Sequence, residues 1–535
     1  MEKPSSSSTA KSRAKGKDAD MNYSRIALIS EDVLHNILAK LPAPSFASAA
    51  CVNKSWNRIC NRILSRPKLS SALSLNPSLP DAVKEVLDKV LCEPIRPHFA
   101  IANVGSGFDL TKTLELISER LGSNIAVIVS EANGIIGRDA LTSEHNEVKW
   151  GALFSGFSSE TYEKNINNGI LLTIGYLPGL KVDAIPLLRP RKTPQAPVIN
   201  KFLRNIKEYS TSVSGSAFPV GIILFGEVST NMKPVLETLD YAMPMDTIIV
   251  GDEGSCFVYR SRNNSRDTCG RTGFLEAVAL VFAEDSKSDS GKIRFHIAQS
   301  NGVLPIGAVY KAASVRTSST DSTTWLNARR EGQQQILDGQ SILNVINNEL
   351  ENHIEPPDLY IGVTKRRKFS IGSEWPRPRT WLTFHAVVGG DDEYLYVDGV
   401  GIKTGDTFQF YHSDPNTALA SCVHASDKLK SIRPEKNSKD CEVDAENDVN
   451  VFGGLIFTCY GRGESFFGRF NVDSSPFLEN FPGVPFAGIF CSGEIGRPSS
   501  NALTDQCQGQ SSVSCCLHAY SSVYLVMSYT RPSVI

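Results

Sequence analysis

The chain has 535 residues, which at roughly 150 residues per domain predicts about three to four structural units. Its 55 lysines and arginines nearly balance 57 aspartates and glutamates, so a net charge of -2 gives no bulk attraction to nucleic acid or to an anionic membrane. With 41% hydrophobic and 21% charged residues, the composition excludes a wholly disordered, collagen-like or coiled-coil chain. We therefore expect no nucleic acid and no membrane among its partners.

The N-terminal segment lacks the apolar stretch that a secretory signal needs. The longest apolar run, from Ile170 to Leu180, is broken by Gly175 and Pro178 and is too short to span a membrane as a helix. The 12 cysteines are scattered along the chain, and we expect them to remain reduced thiols. These features predict a cytoplasmic and/or nuclear protein.

Three short helices are predicted near the N-terminus, after a tail at residues 1–24 that is too poor in apolar side chains to fold. The first helix has Ser30 as N-cap and an apolar stripe, and Pro42 and Pro44 end it. A second helix is predicted from about Ser45. The third carries an amphipathic series that includes Trp56. So small a bundle buries little surface by itself, and a protein partner is a natural candidate to cover it.

Residues 28–64 resemble the F-box, the motif by which substrate receptors dock on the SKP-type adaptor of cullin-RING ubiquitin ligases. The resemblance rests on the opening Glu-Asp-Val-Leu at 31–34, the Leu-Pro stop at 41–42 and the segment Val-Asn-Lys-Ser-Trp at 52–56. Ile29-Ser30 stands where family members often have Leu-Pro, and the serine keeps the helix cap. The resemblance implies contact with the adaptor, and through it a cullin, by Leu34, Ile37, Leu38, Leu41, Val52 and Trp56.

Beyond Pro94 strands and helices alternate, and past about residue 300 strands predominate. The proline-rich segment from Ile185 to Val198 is predicted to be an extended connection, and the polar segment from Ser431 to Asn450 a flexible loop. Leucines do not recur at a fixed spacing, so a leucine-rich-repeat horseshoe has no support. The predicted fold class is α+β, with a small all-α unit followed by a large mixed α/β region.

This large region resembles the paired FIST-N and FIST-C modules, a sensory-type α+β region found with F-boxes in some eukaryotic proteins. The resemblance implies an F-box at 25–70, a FIST-N-like domain at 96–300 and a FIST-C-like domain at 301–530. Four segments carry it: IAVIVSEANGIIG from Ile125, ILFGEVSTNMKPVLETLDYAMPMDTIIVGDEG from Ile223, IAQSNGVLPIGAVYKAASV from Ile297, and LIFTCYGRGESFFG with AGIFCSGEIGRP near the C-terminus.

Glycines follow two apolar strands in the last hundred or so residues, at Arg462-Gly463 and Gly493-Glu494. A guanidinium and a carboxylate there fit the two charges of a zwitterion, and a structural Arg-Glu pair fits equally well. The FIST resemblance favours a small-molecule pocket. Gly105-Ser106-Gly107 favours a tight βα turn with Asp109 as N-cap over a nucleotide site, because the third glycine of the dinucleotide fingerprint is missing.

No catalytic signature and no cofactor motif is recognised. Cys422, His424 and Cys441 are the nearest approach to a metal cluster, but incidental cysteines are favoured, and Cys459 and Cys491 are predicted to be packed core thiols. We expect a non-catalytic substrate-recognition subunit of an SCF-type ubiquitin ligase, whose FIST region recruits an unidentified protein. The alternative is a FIST-based sensor of a small metabolite such as an amino acid, with the F-box coupling it to protein turnover.

Overall fold

The computed structural model describes residues 30–151, 167–262, 273–288, 291–318, 322–350, 357–370, 377–432, 449–497 and 513–531. They form two compact units. The smaller unit ends at Arg66 and includes the later segment Leu91–Arg96, while the larger unit contains Pro67–Val90 and everything from Pro97 onward. The predicted tail and most of the predicted loop at 431–450 lie outside the described residues.

The smaller unit is the predicted three-helix bundle, with α1 at Glu31–Leu38, α2 at Ala43–Ala50 and α3 at Lys54–Ile63. The Ser30 side chain accepts a hydrogen bond from the Val33 amide at 3.3 Å, so the predicted N-cap is confirmed. The second helix begins two residues earlier than predicted, because a proline is tolerated in the first turn of a helix. The bundle buries a small apolar core formed by Leu34, Leu38, Phe46, Ala49, Ile59 and Cys60.

The larger unit contains the remaining described helices. They are α4 Leu79–Val90, α5 Leu110–Leu121, α6 Gln195–Ser214, α7 Lys233–Ala242, α8 Gly339–Glu349, α9 Pro415–Lys430, α10 Glu464–Phe467 and α11 Ser475–Asn480. Its first described strands are β1 Lys68–Ser74, β2 Phe99–Val104, β3 Ala126–Glu131, β4 Gly134–Arg138, β5 His145–Lys149, β6 Ile170–Tyr176, β7 Leu180–Pro190, β8 Gly221–Gly226, β9 Ile248–Asp252, β10 Phe257–Arg260, β11 Gly273–Glu284 and β12 Lys292–Ser300. The later ones are β13 Val303–Thr317, β14 Thr323–Arg330, β15 Leu359–Phe369, β16 Arg377–Gly390, β17 Leu395–Asp398, β18 Thr407–Ser413, β19 Val449–Cys459, β20 Phe486–Cys491, β21 Glu494–Gly496, β22 Val513–Ser514 and β23 Ser522–Thr530.

Three sheets share one central core. Sheet A has the order β1-β6-β2-β3-β10, sheet B the order β12-β23-β19-β20-β4-β5, and sheet C the order β21-β9-β8-β11-β7. Apolar side chains from all three sheets form a single buried cluster, while α6 and α7 cover the other face of sheet C. The outer face of sheet B packs against α9 and α11. The carboxyl ends of the parallel pairs β2/β3, β8/β9 and β19/β20 are where this kind of fold offers ligand sites.

The fourth sheet is a closed barrel. Its order is β15-β18-β13-β14-β17-β16, and β16 pairs again with β15, while β22 adds to β16 in parallel. Closure removes the free edge where each strand has a neighbour on both sides, and β16 extends beyond this part to accept β22. Aromatic and aliphatic side chains such as Tyr310, Phe408 and Phe410 fill the interior together with Ile342 and Ile346 of α8.

The α+β class is confirmed, and two local predictions are wrong. Ile185–Val198 contains regular structure, because β7 and the start of α6 occupy most of it. Pro186 is tolerated in β7 since this strand lies at the edge of sheet C and pairs only with β11. The second miss is Lys68–Val90, which forms β1 and α4 of the larger unit although no element was predicted there.

The segments 96–300 and 301–530 belong to the same compact unit in the structure. Sheet B joins β4, β5 and β12 of the first segment to β19, β20 and β23 of the second, and sheet C takes β21 from the second. The assignment of these two segments as FIST-N-like and FIST-C-like domains stays a prediction. None of the described helices is both long and apolar enough to cross a membrane.

Candidate functional sites

The first candidate site is the apolar surface of the three-helix unit. Two of the residues predicted to contact the adaptor lie in the core of the unit: Leu34 is buried and Leu38 is fully buried, so their contact with an adaptor stays a prediction. Ile37 is 48% exposed, and Val33, which the sequence analysis missed, is 50% exposed. Because these two residues lie four positions apart, they share one face of α1.

The other predicted contacts divide in the same way. Val52, in the turn between α2 and α3, is exposed. Leu41 and Trp56 are half-buried and pack against the core of the unit. The large apolar side chains that this unit leaves exposed are therefore Val33, Ile37 and Val52, whereas Leu34 and Leu38 lie in its core. The helical register of α1 would have distinguished buried from exposed residues. Leu34 and Leu38 share one face of the helix, and Val33 and Ile37 share the neighbouring face.

The second candidate site lies where strands of sheets B and C end. β19 and β20 run parallel and end opposite each other at Cys459 and Cys491. Three residues after Cys491 the chain has left sheet B and pairs with sheet C, which places Glu494 directly opposite Asp252 at the end of β9. The strand ends predicted to form a pocket are therefore brought together, and Asp252 joins them as a residue that the sequence analysis missed.

Arg462 lies in this region but has no free donor to offer a ligand. Its side chain is fully buried and forms an ion pair with Asp473 at 2.6 Å. Its other hydrogen bonds go to the Tyr520 carbonyl oxygen at 2.8 Å, the Ser300 hydroxyl at 3.0 Å and the Cys422 sulfur at 3.5 Å. Arg462 thus pairs with Asp473 and not with Glu494. The arginine therefore forms neither the predicted zwitterion site nor the predicted structural pair with Glu494.

Glu494 is fully buried with an incomplete set of partners. Its Oε2 accepts hydrogen bonds from the amide and the hydroxyl of Ser521 at 3.2 and 3.0 Å. Its Oε1 has no nitrogen or oxygen donor among the described residues, and the thiol of Cys459 hydrogen-bonds to the carboxyl group. Burial raises the pKa of Glu494 from 4.5 to about 8, and the nearby charge of Asp252 acts in the same direction. Glu494 is therefore a buried acid with few strong hydrogen-bond donors around it, unlike Asp473, which has an ion-pair partner.

Gly463 and Gly493, the two glycines predicted at this site, lie where a side chain would be strained or crowded. Gly463 has φ of +96°, and a Cβ there would lie 3.1 Å from Lys149 Cδ. A Cβ at Gly493 would lie 2.6 Å from Glu253 Cγ. Both therefore allow close approach within the strand-end region.

Tyr520 is a further residue of this region that the sequence analysis missed. It is buried yet has φ of +49°, a conformation that a bulky side chain rarely adopts outside functional or strongly constrained positions. Its hydroxyl donates to Asp358, and its ring lies 6.1 Å from that of Tyr360. The positive φ cannot be predicted from a single sequence, because nothing in the neighbouring residues demands it.

A second polar cluster lies where the barrel meets the amino end of α7. Lys233 Nζ is 3.0 Å from the Phe384 carbonyl oxygen and 3.2 Å from Nδ1 of the buried His385. Burial lowers the pKa of both side chains, and the positive charge of Lys233 lowers that of His385 further. The positive charge of Lys233 opposes the rise that burial causes in the pKa of Glu253. These groups form an internal electrostatic network.

Cys459 and Cys491 are buried strand thiols as predicted, and burial raises their pKa values well above the ordinary range. Neither is therefore prepared to act as a nucleophile. Among the described residues, no group of three His, Cys, Asp or Glu side chains is arranged to hold a metal ion, and Cys441 lies outside them.

Asp109 accepts a hydrogen bond from the Lys112 amide at 2.6 Å, which confirms the predicted N-cap after the glycine-rich turn.

Comparison with known proteins identifies two domains and several relatives of this chain. Residues 26–67 match the F-box domain, and residues 385–497 match the FIST C domain. An F-box/LRR-repeat protein of Arabidopsis thaliana is 46% identical over 514 residues, which are 94% of each chain. An uncharacterized protein of Mycobacterium tuberculosis is 50% identical over 117 residues, or 21% of this chain and 27% of that protein.

The name of the Arabidopsis relative includes leucine-rich repeats. The described strands of the present chain instead form three sheets and a closed barrel, joined by pairings between distant parts of the sequence. The FIST C match covers the end of the barrel and the strand ends at Cys459 and Cys491. The chain belongs to the F-box protein family and combines its F-box with a FIST C domain.

Proposed function

We propose that this protein is a substrate-recognition subunit of an SCF-type ubiquitin ligase. The observation that carries the proposal is the pair of exposed apolar side chains, Val33 and Ile37, on one face of a helix within the matched F-box. Exposed apolar side chains on so small a unit favour burial against a partner. The expected partner is an SKP-type adaptor and, through it, a cullin.

In this role the protein performs no covalent chemistry. It holds a target protein beside the charged ubiquitin-conjugating enzyme, which replaces an intermolecular encounter by an intramolecular one and raises the effective concentration of the target. The larger unit, with its FIST C domain, is the part that captures the target. The site of action is the cytoplasm and/or the nucleus.

Binding of the full-length chain to a purified SKP-type adaptor tests the proposal. Ile37→Asp should weaken binding by more than about tenfold, because it places a charge in an apolar contact without disturbing the core. Val423→Asp is the matched control, since Val423 is a similarly exposed apolar residue on α9 of the larger unit. Equal adaptor binding by the parent and Ile37→Asp, with unchanged circular dichroism, would refute the docking surface.

A second candidate function is a sensor of a small ligand, and the buried Glu494, whose Oε1 has no nitrogen or oxygen donor among the described residues, favours it. Because Arg462 is paired with Asp473, the region supplies a carboxyl group that would transfer its proton to a bound amine and pair with it, but no free guanidinium for the carboxylate of an amino acid. An amine-bearing metabolite therefore fits better than a zwitterion held at both ends. The F-box would couple occupancy to protein turnover.

A thermal scan of the full-length chain with amino acids and polyamines tests this second function. A ligand at a hundredfold excess over its Kd stabilises the folded state by about 2.7 kcal/mol and raises its Tm. The rise should disappear in Glu494→Gln and persist in Glu479→Gln, an exposed control. A set of compounds that leaves Tm unchanged, or a rise that survives in Glu494→Gln, would count against the sensor.

A further inference from the structure

The outer surface of the barrel carries a cluster of aromatic side chains, Trp325, Tyr394 and Tyr396, which we call the aromatic face. Trp325 and Tyr396 are directly opposite each other on β14 and β17. Their rings are 5.7 Å apart at 75°, and the Tyr394 ring is 6.4 Å from that of Trp325. Since the alternate residues Leu326 and Leu395 point into the barrel core, the aromatic face points outward.

These rings are held in place although their surface is open. Tyr396 donates its hydroxyl to Asp391, and the Arg316 guanidinium lies 5.1 Å from the centre of the Tyr394 ring. Trp325 nevertheless remains 38% exposed. Rigid aromatic side chains that are already fixed lose little conformational entropy on binding, which makes them effective contact residues.

A groove runs beside Tyr396. On β16, Gly389 is the residue opposite Tyr396, and the bulge before it turns out Val388, which is 67% exposed. A Cβ at Gly389 would meet only the Tyr396 ring, at 4.0 Å, so the space above this glycine is open. Tyr396 and the exposed Val388 thus lie next to an open strip of backbone at Gly389, and we call this strip the groove.

The groove ends at an acidic turn. Asp391, Asp392 and Glu393 connect β16 to β17 and are all exposed. Among the described residues, no lysine, arginine or histidine forms an ion pair with any of the three. A ligand that lies along the aromatic face and reaches this turn would gain from a positive charge at that end.

The closed sheet of the barrel restricts the conformation that a peptide can have on the aromatic face. β14 and β17 are interior strands of a closed sheet, so an added strand has no edge to join. Left-handed polyproline helices, by contrast, dock on aromatic-lined grooves, repeat every three residues over about 9 Å and are already ordered before binding. We propose that the aromatic face binds a basic, proline-rich segment of a partner protein. This inference rests on the proposed function, in which the larger unit captures the target.

Binding of a labelled synthetic peptide to the full-length chain, measured by fluorescence anisotropy, tests the inference. The peptide has repeated Pro-x-x-Pro units and an arginine at each end. One control peptide replaces the prolines by alanine, and another replaces the arginines by glutamate. We expect both controls to bind at least about tenfold more weakly, because one loses the preformed helix and the other its charge complementarity.

Two variants locate the site. Trp325→Ala should weaken peptide binding by more than about tenfold, and the double variant Asp392→Lys/Glu393→Lys should weaken binding of the arginine peptide while improving that of the glutamate peptide. Val423→Ala, on α9, is the matched control and should bind like the parent. Because the double variant lies in an exposed turn, it decides the matter even if Trp325→Ala fails to fold.

Adaptor binding distinguishes a failure of the aromatic face as a peptide site from a failure of the proposed ligase function. If the parent chain binds the adaptor but not the arginine peptide, or binds all three peptides alike, the aromatic face is not a proline-rich docking site and the proposed ligase function stands. If Trp325→Ala and the double variant bind the arginine peptide as tightly as the parent, the inference is equally overturned. Loss of adaptor binding in Ile37→Asp concerns only the F-box.

Discussion

The F-box unit and the larger unit differ in whether an ion pair lies on the surface or in the core. The F-box unit buries a small apolar core and leaves Val33 and Ile37 exposed, while its ion pair between Arg62 and Glu31 lies on the surface. The larger unit buries the ion pair of Arg462 and Asp473. The comparison shows that the core of the F-box unit is apolar and its ion pair adds little to it, whereas in the larger unit a buried ion pair is part of the packing.

The largest expected effect is on the stability of the larger unit. Arg462→Ala leaves Asp473 buried without its partner and should lower the free energy of unfolding by about 3 to 5 kcal/mol. Arg62→Ala, which removes an exposed ion pair in the F-box unit, should change it by less than about 1 kcal/mol. Urea unfolding of the full-length chain, followed separately for the two units, measures both. Similar losses in the two variants would contradict the comparison.

A buried and an exposed residue of α1 should separate stability from adaptor binding. Leu38→Ala should destabilise the F-box unit by about 2 to 5 kcal/mol, because Leu38 is fully buried. Ile37→Ala should leave its unfolding nearly unchanged and weaken adaptor binding. Urea unfolding and adaptor titration of both variants are the measurements. If Ile37→Ala destabilises the unit as much as Leu38→Ala, then Ile37 is a core residue and not a contact residue.

The titration of Glu494 should make the larger unit less stable as the pH rises. Its pKa is about 8 in the folded state and 4.5 ordinarily, so between these values the folded chain holds a proton that the unfolded chain has released. Stability from this group is therefore complete below about pH 4.5, falls as the pH rises and reaches its lowest level above about pH 8. Glu494→Gln should reduce this fall.

Thermal unfolding of the parent and of Glu494→Gln across this pH range checks the prediction. Glu479→Gln provides an exposed control that should keep the pH dependence of the parent. Identical pH profiles for the parent and Glu494→Gln would mean that Glu494 is ionised in the folded protein and has a cationic partner.

The smallest expected effects concern the helix caps, one in each unit. Ser30→Ala and Asp109→Ala each remove a side-chain acceptor from the first turn of a helix and should cost about 1 kcal/mol in the unit concerned. Unfolding followed by circular dichroism measures both losses. Equal losses would show that local capping acts alike in both units, and a much larger loss for Asp109→Ala would indicate that its turn has a further role.

Local chemistry was readable from the sequence. The caps at Ser30 and Asp109 and the apolar strands ending at Cys459 and Cys491 depend on neighbouring residues, because a cap accepts the first amides of its own helix and a buried strand is a short run of apolar residues. The F-box was recognised for the same reason, since its three helices follow one another directly in the chain.

Tertiary structure decided everything that depends on distant partners. Nothing near Arg462 shows that Asp473 and not Glu494 would neutralise it, and Pro186 lies in a strand only because that strand is at a sheet edge. The barrel closes through the pairing of β15 with β16, and this closure places Trp325 on the outside. The sequence by itself determined the three F-box helices, the helix caps, many of the strands and the family, because these follow from local periodicity and short motifs. Only the fold decided which side chains are buried and which charges meet, because burial and ion pairing depend on residues far apart in the chain.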